Sequence, residues 1–146
     1  MECVWFPYYF LTFSLDSPKG PGDTTVSVEA WSGAFSFIDV QTPLLEGRPP
    51  GEHFPPRLDA AAAERSARAD LLGSILRLRS RGAKPTPGAL MANHLVHCPL
   101  WIYYFPRVRD RLDIRVVDGL TAELLGNRTH MGVLSAFMTH HGAPQR

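Results

Sequence analysis

Apolar and polar positions along this chain fall into two similar patterns, one at each end. Cys3 to Ser14 is a nearly unbroken apolar run rich in aromatics, and Thr24 to Trp31 alternates polar with apolar residues. Aromatic and β-branched side chains suit a pleated, half-buried surface, and a period of two marks a strand with one buried face. Asp16 to Asp23, DSPKGPGD, reads as a loop between these strands. Ser32-Gly33 is a turn, and Ala34 to Val40 alternates again, which predicts a third strand.

Gln41 to Pro56 holds five prolines and two glycines. It reads as an irregular connector, either a plain linker or an extended arm that docks a partner. Leu58 to Arg81 then predicts the main helix. Its alanine run has high helical propensity, and Asp59 sits in its first turn. Leu58, Ala62, Ala69, Leu72, Ile75 and Leu76 form its apolar stripe, and Gly82 supplies the C-cap. Arg77, Arg79, Arg81 and Lys84 read as a solvated, dipole-matched helix end rather than a phosphate site.

Lys84 to Gly88 is a second break, and Ala89 to Leu95 is a helical turn or an extended lead-in. The second aromatic run, Leu100 to Phe105, opens another hairpin. It turns over Pro106 to Asp110 and returns as the alternating strand Leu112 to Val117, closed by Asp118-Gly119. Ala122 to Leu125 is a short third strand. Thr129 is the N-cap of a final helix to His141 that buries Val133, Leu134, Phe137 and Met138, and Gly142 stops it.

The first and second hairpins align. Val4 falls beside Val96, Pro7 beside Pro99, Tyr9 beside Trp101 and Phe13 beside Phe105. The expected fold is therefore α+β: an antiparallel sheet from two pseudo-repeated β-β-(β)-α halves, with the helices packed on one face. The chain, 146 residues long, reads as a single domain 1–146. Half one is 1–82 with the connector 41–56, half two is 89–142, and 143–146 is a frayed tail.

The motif Pro, aromatic pair, Tyr, turn, alternating strand, Val117-Asp118-Gly119-Leu120-Thr121 resembles an aromatic hairpin of PepSY-like and zinc-ribbon-linked accessory modules. The resemblance covers Val96–Thr121, with a fainter copy at Val4–Gly33. Two features depart from it: Ala122 follows Thr121 where those modules carry Gly, and the zinc-ribbon cysteine pairs are absent. It implies a small binding or inhibitory module with no catalytic residues to carry over.

Composition narrows the reading further. The formal net charge is +1, which gives no global footprint for nucleic acid. Arg107, Arg109, Arg111 and Arg115 interleave with aromatics, but Asp110 and Asp113 dilute that patch. The abundance of Ala, Gly, Pro and Arg suits a GC-rich bacterial genome. The apolar start lacks a basic n-region, contains Pro7 and has no small-residue cleavage site, so it reads as a core strand of a cytoplasmic protein. No apolar run is long enough to span a bilayer. Cys3 and Cys98 read as two reduced thiols.

Candidate chemistry is sparse. His94, His97 and Cys98 offer two imidazoles and a thiolate to zinc, with Cys3, His53, His130, His140 or His141 as a further ligand. A Cys98 nucleophile has no flanking signature, and no P-loop, dinucleotide fingerprint or serine elbow occurs. The aromatic strands place large side chains on both faces, more than one core face needs. Tyr9, Trp101, Tyr103 and Phe105 are therefore the candidate partner-binding residues. The leading expectation is a non-catalytic interaction protein, an accessory or adaptor subunit of a larger bacterial complex, or a homodimer through the same face. The alternative is a small-ligand-binding or enzymatic domain with an aromatic pocket lined by Trp5, Trp31, Trp101 and tyrosines, or the metal site.

Overall fold

The computed structural model describes residues 1–39, 44–78, 82–107 and 111–140, with the backbone alone at 107, 111 and 112. The described residues form six strands and two helices: β1 Glu2–Ser17, β2 Gly20–Glu29, β3 Phe35–Phe37, β4 Glu52–His53, α1 Ala60–Leu76, β5 Thr86–Arg107, β6 Arg111–Asp118 and α2 Asn127–His140. The sheet order is β3-β2-β1-β5-β6, and β4 pairs with β1. All pairings are antiparallel except the short parallel pairing of β4 with β1. The fold is thus α+β with one antiparallel sheet, as its strand patterns predict.

Several boundaries move. The first hairpin has no long loop: Ser17 pairs with Gly20 across a turn at Pro18-Lys19. Gly20 at φ 114° accepts a conformation that other residues resist, and the Ser17 hydroxyl donates to the Gly20 carbonyl at 3.0 Å. The break predicted at Lys84 to Gly88 is instead the entry of β5. That strand runs on through Pro87 and Pro99 because β1 is long enough to partner it from Asp16 back to Glu2. Register shifts at Thr12/Phe13 and Phe13/Leu15 absorb the mismatch. The third strand shrinks to Phe35–Phe37, and Val40 lies outside the described residues. Leu124 makes only an isolated bridge to Val117, in place of the expected short strand.

The main helix is shorter than predicted and turned on its axis. Asp59 is its N-cap and accepts from the Ala62 N–H at 2.7 Å, and Arg77 is its C-cap. Lys84 donates to the Leu76 carbonyl at 2.6 Å, closing the last turn, while Arg79 and Arg81 lie outside the described residues. Ala63, Ala67, Leu71 and Ile75 face the sheet, whereas Leu72 and Leu76 are exposed. Small alanines let the helix sit close above the bulky Tyr9, Leu11 and Phe13, so their volume rather than hydrophobicity chooses the stripe. In α2, Thr129 is buried inside the first turn instead of capping it. Val133 is buried, Leu134 and Phe137 are partly buried, and Met138 is exposed. His141 and Gly142 lie outside the described residues.

The helices do not share a face. The odd-numbered β1 residues Tyr9, Leu11 and Phe13 pack with Val26, Val28 and α1. The even-numbered Val4 and Phe6 pack with Leu100, Ile102, Ile114, Val116 and Val133 of α2. Successive side chains of a strand point to opposite faces, so the two clusters lie on opposite sides of the sheet. This corrects the expectation of helices packed on one face. It also explains why β1 carries aromatics on both sides: each side meets its own helix. No helix among the described residues is long and apolar enough to cross a membrane.

Candidate functional site

Each helix covers only part of its face. On the odd face, α1 covers β1 and β2 from Tyr9 to Phe13, and the β5–β6 end lies beyond it. There Cys3 pairs with Trp101, Trp101 with Val117, Tyr103 with Arg115 and Phe105 with Asp113. Trp101 is half-buried, while Tyr103 and Phe105 are 36% and 41% exposed. The Arg115 guanidinium lies 5.4 Å from the centre of the Phe105 ring, where a cation meets the negative face of the π-system. Trp101, Tyr103 and Phe105 therefore line one face of a hairpin that extends past the start of β1, since Glu2 is already opposite Ile102.

Tyr9 occupies the same face but belongs to the core. It is only 5% exposed, and its hydroxyl donates to the Leu58 carbonyl at 2.8 Å, just before α1. It is thus not available beside the other three aromatics. Tyr104 points to the even face, and its hydroxyl donates to Glu2 at 2.6 Å. Burial, the hydrogen bond and the neighbouring Glu2 and Glu52 push the Tyr104 phenol up to about 12. Arg109 and Asp110 lie outside the described residues, as do the side chains of Arg107 and Arg111.

The residues of the expected metal set separate. His94, His97 and Cys98 lie opposite Phe10, Pro7 and Phe6 in β1. Strand alternation puts His94 and Cys98 on the even face and His97 on the odd face. Among the described residues no group of three or more His, Cys, Asp and Glu side chains converges to hold a metal ion. Burial, with Asp118 nearby, pushes the Cys98 thiol up to about 12, which leaves it protonated and poorly nucleophilic. Cys3 and Cys98 are both free thiols, and alternation places them on opposite faces.

A broad concavity of about 1600 Å³ is bordered by residues of both sheet faces, Trp5, Leu95 and His97 among the odd ones. Tyr8, Phe10, His94, Val96 and Cys98 line it from the strands, and the connector contributes Leu44 to Pro49. Burial raises the Tyr8 phenol, reinforced by Cys98, Glu29 and Asp118, so its hydroxyl stays a hydrogen-bonding group without charge. Of the tryptophans expected in a pocket, Trp5 borders this concavity, Trp31 is buried in the core, and Trp101 is not among its lining residues.

Two features escape any linear reading. The buried Glu29 carboxylate accepts from the backbone N–H groups of Trp31 at 2.6 Å and Ser32 at 3.0 Å, and from the Ser32 hydroxyl. His53, inside the Pro-rich connector, stacks on Trp5 and meets His97. Its signal in the sequence is only a histidine preceding Phe54 in an otherwise irregular stretch. No family model, no curated protein and no solved structure matches this chain.

Proposed function

We propose that this chain is a non-catalytic interaction protein, an accessory or adaptor subunit that docks a protein partner on the hairpin face carrying Trp101, Tyr103 and Phe105. One observation carries the reading: α1 packs on the Tyr9 to Phe13 part of the odd face, and among the described residues neither helix packs over the alternate β5 aromatics Trp101, Tyr103 and Phe105, the last two of them exposed. Large exposed aromatics clustered on rigid strands are the usual anchors of protein interfaces. Arg115 over Phe105 adds a cation at the rim. The hairpin's resemblance to PepSY-like accessory modules points the same way, toward a binding module.

The proposal includes a duplicated origin for the two hairpins, supported by their pairing. Val4 faces Leu100 and Tyr8 faces Val96, while Pro7 faces His97 and Trp5 faces Pro99. In the alignment of the two halves these are reciprocal pairs, as for strands related by a twofold axis through Phe6 and Cys98. The helices on opposite faces depart from that symmetry.

Native affinity purification of the full chain from its source, with light scattering on the product, tests the reading. A stoichiometric companion is expected to be retained by wild type and lost from Tyr103→Ala and Phe105→Ala. A homodimer broken by the same substitutions would replace the companion with a second copy. A monomer recovered alone would overturn the proposal. A second reading, a small-ligand-binding domain, rests on the concavity beside Tyr8 and Phe10. Native mass spectrometry of the purified chain would reveal a retained small molecule.

A further inference from the structure

We propose that His53 and His97 form a bis-imidazole site for a first-row divalent transition cation, zinc or copper(II). The site does not rest on the docking proposal, although His97 lies on the same, odd face of the sheet as Trp101. β4 and β5 flank β1 on opposite sides, with His53 in register with Trp5 and His97 with Pro7. The two rings lean toward each other across β1, their centroids 5.4 Å apart and their planes 60° apart.

Backbone contacts determine where the lone pairs are. His53 Nδ1 lies 3.0 Å from the Gly51 carbonyl oxygen, and His97 Nε2 lies 2.9 Å from the Phe54 carbonyl oxygen. A carbonyl oxygen only accepts, so each of these ring nitrogens carries the proton. A neutral imidazole then holds its lone pair on the other nitrogen: Nε2 in His53 and Nδ1 in His97. His53 Nε2 is buried and has no hydrogen-bond partner among the described residues. A buried acceptor left unmatched is uncommon in a folded protein and calls for a ligand or a function.

The surroundings have the features of a metal-binding pair. Metal-ligating histidines commonly donate their second N–H to a backbone carbonyl, which sets the tautomer and the ring orientation. Both histidines do so here. Trp5 lies nearly flat on His53, 12° between planes at 5.8 Å, and fixes that ring further. With a metal–nitrogen bond of about 2.0–2.1 Å, two imidazoles on one tetrahedral ion have centroids roughly 5 Å apart, close to the spacing found. Imidazole nitrogens suit zinc, copper and nickel, and copper(II) binds such donors most tightly. Two protein ligands leave further coordination positions to water or to an added ligand.

Calorimetric titration of the full chain with zinc chloride and with copper(II) sulfate tests the site. Wild type and His94→Gln are expected to bind stoichiometrically. His53→Gln and His97→Gln are expected to lose about tenfold or more in affinity while keeping the wild-type circular dichroism spectrum. Nitrogen-15 long-range NMR on the wild type gives a second readout that needs no variant. It should report the Nδ1–H tautomer for His53 and Nε2–H for His97, with copper(II) broadening those two rings first. Equal affinity in all four proteins, no binding by wild type, reversed tautomers, or broadening centred on His94 or His130 would each overturn the proposal.

Discussion

Glu29 and Gly132 meet where the sheet touches α2: a Cβ on Gly132 would stand 2.7 Å from Glu29 Oε2. The carboxylate cannot swing away, because Trp31 and Ser32 hold it and it is fully buried. The Ser32 Cβ, 3.2 Å from the same point, closes the other side. Gly132→Ala is therefore expected to destabilise the fold by about 1–3 kcal/mol through overpacking. Helical propensity alone would favour alanine by about 1 kcal/mol, so the two effects have opposite signs. Urea denaturation of the variant decides between them.

The same carboxylate predicts a pH dependence. Burial raises the Glu29 carboxyl above its ordinary range, outweighing the hydrogen bonds from Ser32 and Trp31 and the attraction of Arg57. The folded state thus holds this proton more tightly than the unfolded chain does. The resulting stability is fully present below the unfolded carboxylate pKa and is lost as pH rises through the higher folded value. Urea midpoints measured from acidic to neutral pH should show that decline in wild type and lack it in Glu29→Gln. At neutral pH the variant is expected to be less stable by about 1–3 kcal/mol, since its amide NH₂ must face a backbone N–H donor.

Two tyrosines on the same sheet face should respond differently. Tyr9→Phe removes the hydroxyl that satisfies the Leu58 carbonyl and is expected to cost about 0.5–1.5 kcal/mol in thermal or urea unfolding. Tyr103→Phe changes an exposed position with no such partner among the described residues, and its stability should stay within about 0.5 kcal/mol of wild type. Equal losses at both positions would contradict the division of this face into covered and open halves.

The thiols should also separate. Burial pushes Cys98 up to about 12, while Cys3 is raised by burial alone and is much less enclosed. A neutral disulfide reagent at neutral pH is expected to label Cys3 well before Cys98, since the thiolate is the reacting form. Denaturant should bring the two rates together. Mass-spectrometric mapping of the labelled peptides measures this directly.

Features decided by neighbouring residues were legible from the linear order. The aromatic run Leu100 to Phe105 and the alternation Leu112 to Val117 announced their strands, and the alanine run announced the helix, with Asp59 capping it rather than sitting in its first turn. Of the candidate docking residues, Trp101, Tyr103 and Phe105 share the odd face beyond α1, because alternate positions of one strand must point the same way. Features decided by distant partners were not legible. Thr86 to Leu95 became strand because β1 is there to pair with it, against the local signal of Pro87 and Gly88. Tyr9 was separated from the other aromatics by the cover of α1, and the buried stripe of that helix was set by fit against Leu11 and Phe13. His53 has no periodic signal of its own. It reaches His97 only because β4 pairs with one edge of β1 while β5 pairs with the other, and side chains so far apart in sequence come together only through the register of the sheet.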